Sequence, residues 1–179
     1  GGQRVRCAVS PHDVRSPMPN ESLTAIDLAG VPATVLDLFR DEQRDALLAL
    51  RRALHAYPEL AFEEHRTCET LERSLAAAHP VSVQRVAGTG LVARIRGRDA
   101  TAPVVAVRGD IDALPIQEAT GLPYSSRHDG VMHACGHDVH AAWAVGAAYL
   151  LANRPAAGDV LVVLQPAEET GMGASAVLE

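Results

Sequence analysis

Two valine-rich runs, PVVAVRG (Pro103–Gly109) and DVLVVLQ (Asp159–Gln165), constrain the fold most. Nearly continuous apolar runs of this length are expected of strands buried on both faces. Between them HAAWAVGAAYLLAN, residues 140–153, is apolar almost all round and long enough for a buried helix. Strands alternating with helices imply an α/β fold, a layered sheet with helices on both faces. Upstream, VSVQRVA and LVARIRG alternate about Gly88-Thr89-Gly90, a hairpin signal. Helical spacing runs from Val35 to His55 through Leu36, Phe39, Leu47, Leu50 and Leu54, and Pro58 stops it. A second amphipathic helix is expected from about Phe62 to Ala78, closed by Pro80. Both helices read as core packing. GASAVLE opens a further helix. Residues 1–30 mix Pro, Ser, Asn and Arg without periodicity and read as a flexible leader, which leaves 31–179 as the folded domain.

Charge and cysteine usage exclude several functions. The 22 acidic residues outnumber the 16 basic ones, and the net charge is -6, so no nucleic-acid partner is expected. Every basic residue is arginine. Without lysine, neither a P-loop nor a Schiff-base mechanism is available. Three widely spaced cysteines, Cys7, Cys68 and Cys135, do not form a disulfide framework and point to reduced thiols in the cytoplasm. No secretory signal and no apolar run of membrane-spanning length is present, so no membrane partner is expected.

The polar residues gather at element ends, where open α/β sheets bind ligands. RGDIDALP places Asp110 and Asp112 after the first valine-rich run; QPAEETG places Glu168 and Glu169 after the second. Singly, Asp-x-Asp is more often a turn or cap, and Glu-Glu is often the acidic first turn of a helix. HACGHD, before the buried helix, is more specific. Alternate residues of an extended segment share a face, so Cys135 and His137 can address one ion, and Gly136 allows a sharp turn between them. Thiolate, imidazole and carboxylate are the ligands of zinc and its first-row neighbours. The rival chemistry is a cysteine nucleophile in which Cys135 pairs with His133 or His137. That reading leaves the two acidic pairs without a role, whereas metal-assisted hydrolysis uses them all.

Four ordered blocks, LRRALHAYPELAFEEHRT, VRGDIDALPIQEATGLPYSS, GVMHACGHDVHAA and LQPAEETGMGA, resemble the M20 metallopeptidase family over Leu50 to Glu179. Within that family they resemble the amidohydrolase branch, which includes hippurate and indole-acetyl-amino-acid hydrolases. The resemblance implies the N-terminal part of a zinc-exopeptidase-like catalytic domain that uses two divalent ions, manganese or zinc, with cobalt or nickel as alternatives. It implies hydrolysis of the amide bond of a small N-acyl amino acid. Cys135, His137 and Glu169 would be metal ligands, with Cys135 similar in role to the bridging aspartate of the peptidase branches. Glu168 would be the general base, passing a proton from water to the leaving amine, and Asp112 would orient a histidine ligand. Asp110, His133, Asp138 and His140 match family positions without an assigned role, and caps or buried hydrogen bonds account for them as readily. Members of the family continue with a dimerisation lid and the rest of the catalytic domain, which would supply two more histidine ligands. The expectation is therefore an incomplete site here and a homodimer for the full-length protein. The alternatives are an aminoacylase or dipeptidase of the wider family, disfavoured by cysteine where those branches carry aspartate, and a catalytically inactive metal-binding module.

Overall fold

The computed structural model describes Thr34 and residues 37–179. Val35 and Leu36 of the first expected helix, and the expected leader, lie outside the described residues. Helix α1 (Asp41–Ala56) is followed by α2 (His65–Leu75), which tightens into a 3₁₀ turn at Ala76–Ala78. Strands β1 (Ser82–Val86), β2 (Gly90–Ile95) and β3 (Val105–Asp110) precede α3 (His137–Asn153). Strand β4 (Val160–Gln165), a 3₁₀ turn at Glu168–Thr170 and the short α4 (Gly173–Leu178) complete the order. The four strands form one sheet in the order β1-β2-β4-β3. β1–β2 and β2–β4 are antiparallel, and β3 runs parallel to β4.

Register decides where the core sits. Leu91 faces Leu164, Ala93 faces Val162 and Ile95 faces Val160 across the β2–β4 pair, so these residues share one face of the pleat. All six are buried. Five of them, Val160 excepted, join one cluster with Leu50 and Leu54 of α1, Leu71 and Leu75 of α2, and Ala141, Ala144, Val145 and Ala148 of α3. The alternate residues Val92, Leu161 and Val163 are half-buried and Arg94 is exposed. Helical spacing and strand alternation thus converge on the same layer.

Some expectations shift in detail. The second helix starts at His65 rather than Phe62. Phe62 has φ 63°, a left-handed conformation that cannot begin a right-handed helix. The run PVVAVRG forms a strand only from Val105, and it is not buried on both faces: Val104 and Val105 are 55% and 57% exposed. Among the described residues β3 pairs only with β4, and no described strand lies on its outer edge. Helix α3 buries most of its length, yet Val139 and Trp143 are each 47% exposed. No described helix is long and apolar enough to cross a membrane.

Candidate metal centre

Because β3 and β4 are parallel, their carboxyl ends open on the same edge of the sheet, where Ile111 N donates to Gln165 O. The Asp112 segment and the Glu168–Glu169 turn therefore emerge side by side. Helix α3 starts at the same edge, with His137 as its first residue. Gly136, at the N-cap, has φ 77°. That left-handed residue, cheap only for glycine, turns the chain between the exposed Cys135 and the buried His137.

Asp112 is the hub. Its carboxylate is buried, and His137 Nδ1 lies 3.1 Å from its Oδ1 and 3.0 Å from its backbone oxygen. The other carboxylate oxygen accepts the Glu169 amide at 2.9 Å. With Nδ1–H donating to Asp112, the lone pair of His137 resides on Nε2. That nitrogen lies 3.8 Å from Glu168 Oε2 and 3.8 Å from Glu169 Oε1. Cys135, His137 and Glu169 each offer a ligand atom, all within 4.8 Å of one another. Glu169 Oε1 is buried without a hydrogen-bond partner. A buried, unpaired carboxylate oxygen is costly unless a cation compensates it. Thiol, imidazole and carboxylate together are a borderline-soft set suited to zinc or a first-row neighbour. On both counts these residues fit a divalent ion.

The electrostatics agree with that fit. Burial acts to raise the Asp112 pKa, but hydrogen bonds from His137 and from the Glu169 and Glu168 amides hold it below its ordinary 3.8. Burial acts to lower the His137 pKa, but the Asp112 hydrogen bond and charge carry it above 6.5. The adjoining Glu169 carboxylate, then partial desolvation and the charges of Glu168 and Asp112, raise the Cys135 thiol above 9.0. A cysteine nucleophile needs the opposite, a thiol pKa lowered by a cationic surrounding. The thiolate–imidazolium reading therefore loses its electrostatic basis.

The five residues singled out in the sequence, Asp112, Cys135, His137, Glu168 and Glu169, lie at this one edge. Asp110 and His140 border it. Asp110 Oδ2 lies 3.3 Å from His140 Nδ1, Arg108 Nη2 lies 2.6 Å from Asp110 Oδ1, and the His137 and His140 rings are 5.2 Å apart. These two residues form a second triad with His137 whose ligand atoms also fall within 4.8 Å. Asp138 belongs to a different network. Its Oδ2 lies 2.8 Å from both His55 Nδ1 and Arg51 Nε, while His55 Nε2 lies 3.2 Å from Glu118 Oε1. His133 is buried beside that network, with ring centroids 6.4 Å from His55 and neither ring nitrogen hydrogen-bonded. Burial pushes its pKa down to about 4. The sequence reading took His55 and Glu64 as helix packing and gave Glu118 no role. Their bonds His55–Asp138, His55–Glu118 and Glu64–Ala167 span 83, 63 and 103 residues, where no local periodicity can reveal them.

Residues 106–179 match the model of Peptidase family M20/M25/M40. The chain is 46% identical over 135 residues to an N-acetyl-L-cysteine deacetylase of Bacillus subtilis, a match covering 74% of this chain and 32% of that protein. It is 45% identical over 138 residues to an N-acetyldiaminopimelate deacetylase of a Geobacillus species, covering 74% of this chain and 35% of that one. A solved Bacillus subtilis structure, described as a dinuclear metal-binding peptidase of the M20 family, superposes with TM-score 0.73 at 45% identity. It covers 78% of this chain and 40% of its own. The chain spans about a third of the length of the curated relatives it matches.

Proposed function

On the premise that the chain carries the N-terminal part of an M20 family catalytic domain, we propose that the full-length protein is a metal-dependent amidohydrolase. Its substrates are small N-acyl amino acids, the class named for the deacetylases it resembles. The observation that carries the reading is the convergence of Cys135, His137 and Glu169 within 4.8 Å, with the far side of His137 anchored on Asp112.

In this reading Cys135, His137 and Glu169 hold metal, and ligands from outside this chain complete a two-ion site. Manganese or zinc is the first choice, with cobalt or nickel as alternatives. Bound divalent ions supply Lewis acidity, which brings a water pKa from about 15.7 towards about 7. The chain's own residues do the rest. Asp112 keeps Nδ1 of His137 protonated, so Nε2 remains the ligand atom. Glu168, whose side chain is 41% exposed and lies beside His137 Nε2, is the general base. It accepts the proton of the water that attacks the amide carbon and returns it to the leaving amine nitrogen. Cys68 and Cys135 are both free thiols, and a reducing compartment keeps a ligating Cys135 from oxidation, which supports a cytoplasmic site of action. The full-length protein is a homodimer in this reading, through a lid outside the present chain.

The test is hydrolysis of a panel of N-acetyl amino acids, including N-acetylcysteine and N-acetyldiaminopimelate, and of short peptides by the full-length protein. Release of free amino acid that chelation abolishes and manganese or zinc restores is expected. Absence of hydrolysis across the N-acyl panel, or undiminished activity in protein stripped of metal, overturns the reading.

A further inference from the structure

Glu64 is fully buried, yet among the described residues no arginine or histidine lies within salt-bridge distance of it. Its carboxylate does not cap the helix it precedes: Glu64 is the N-cap of α2 but makes no side-chain capping bond. Glu59 performs that task, accepting the amides of Arg66 at 3.1 Å and Thr67 at 2.7 Å. Instead Glu64 Oε2 accepts from the buried Thr89 hydroxyl at 2.5 Å, and Oε1 accepts the buried Ala167 amide at 2.9 Å. Three remote segments meet there: the start of α2, the tip of the β1–β2 hairpin and the turn leaving β4. Gly90, next to Thr89, has no side chain to keep Pro166 away; a Cβ there would stand 2.7 Å from Pro166 Cδ.

Burying a carboxylate without a cation costs folding free energy that an apolar side chain of similar volume would not. The gain must therefore come from what the carboxylate holds. Ala167 has φ 53°, a left-handed conformation unfavourable for any residue with a Cβ, and such a conformation persists only where the surroundings over-determine it. The next two residues are Glu168 and Glu169. Their turn is gripped by two buried carboxylates, Glu64 on the Ala167 amide and Asp112 on the Glu169 amide.

We infer that Glu64 is a positioning residue: its buried bridge between Thr89 and the Ala167 amide sets the direction in which Glu168 and Glu169 leave β4. The inference rests on the amidohydrolase reading for the roles of those two glutamates, but its geometry can be read out separately. In the full-length protein, Glu64→Leu fills the volume and removes both bonds. Glu64→Gln preserves them, with Oε1 on the Ala167 amide and Nε2 donating to the Thr89 oxygen. Apo-protein is titrated with Co(II) alone, following the thiolate-to-cobalt absorption and the dissociation constant, and kcat and KM are measured on an N-acyl amino acid.

Glu64→Leu should weaken Co(II) binding by roughly 10–100-fold, as loss of an outer-shell support does, and lower kcat with little change in KM. Glu64→Gln should stay close to wild type in both. A folded Glu64→Leu protein with wild-type Co(II) affinity and kcat makes Glu64 a packing residue and overturns the inference. Should Glu64→Leu not fold, Thr89→Val decides: weaker Co(II) binding supports the bridge, and an unchanged dissociation constant overturns it. A wild type that binds Co(II) but cleaves no N-acyl amino acid sinks the amidohydrolase reading, and the affinity comparison still judges Glu64.

Discussion

His137 and His55 are both buried and both rest on a buried aspartate, but their second ring nitrogens differ. His55 is closed: Nδ1 meets Asp138 at 2.8 Å and Nε2 meets Glu118 at 3.2 Å. His137 is open: Asp112 takes Nδ1, and Nε2 looks across 3.8 Å at two glutamates, beyond hydrogen-bond range. A fully bonded imidazole has no lone pair to offer a metal and can only tie segments together. An imidazole held at one nitrogen presents the other as a ligand. Buried histidine next to buried aspartate is therefore no sign of chemistry by itself; the partner count on the far nitrogen is what separates the two regions.

If that separation holds, substitutions around the open histidine change chemistry and metal, while those around the closed one change stability. The largest effect is expected at Glu168. Glu168→Gln in the full-length protein should keep its metal and lose about 10²–10⁴-fold in kcat, whereas Glu169→Ala should lose metal and activity together. Metal analysis alongside kinetics checks both. A fully active Glu168→Gln enzyme removes that residue from proton transfer, and equal metal loss in the two variants means their roles are not divided.

His55→Ala probes the closed region. It takes one partner from Glu118, which keeps Thr120 and Ser126, and one from the buried Asp138, which keeps Arg51, a loss of about 3 kcal/mol in a urea titration. Metal affinity of the folded protein should not move. Weakened metal binding at unchanged stability would erase the distinction between the two histidines.

Asp112→Asn should be milder in free energy but specific to metal. The His137 Nδ1–H and the Glu169 amide use different carboxylate oxygens, and in asparagine one of those two positions becomes an NH2 donor that faces a donor. A drop of roughly 10–100-fold in metal affinity is expected by calorimetry. Unaltered affinity would mean that the Asp112 carboxylate is needed neither to orient His137, which keeps the Asp112 backbone oxygen, nor to anchor the glutamate turn.

The smallest effect is a change of sign with pH. In the metal-free protein the His137 pKa is raised, so its pairing with Asp112 stabilises the fold fully below 6.5 and fades as pH rises through the raised value. Asp112 is depressed below 3.8, so its own contribution is present above that value and is lost as pH falls through the depressed one. Metal reverses the alkaline limb, because Cys135 and His137 must shed protons to ligate. Melts of chelated protein should weaken above 6.5, while the added stability from zinc should grow over the same range. Parallel curves with and without zinc would show that His137 is not at the metal.

The elements were legible in the sequence because each depends on local chemistry. Alternation about Gly88–Gly90 specified the hairpin, the apolar stretch after HACGHD specified α3, and valine density marked β4. The same local logic misjudged β3, because valine content reports that a strand wants a partner and not how many of its sides find one. It also extended α2 back to Phe62, where a single left-handed residue forbids helix. Cys135 and His137 stood out through their spacing, and Asp112, Glu168 and Glu169 through their places at element ends.

What the sequence determined by itself was the chemical inventory and the edge to which it is delivered: a thiol, imidazoles and paired carboxylates at the carboxyl ends of strands. Which imidazole is open and which is closed was decided only by tertiary structure. His55 meets Asp138 across 83 residues, His137 meets Asp112 across 25, and Glu64 meets the Ala167 amide across 103. Hydrogen-bond saturation is a property of neighbours in space, and the parallel pairing of β3 with β4 sets those neighbours at this edge. No period of two or 3.6 residues carries that information.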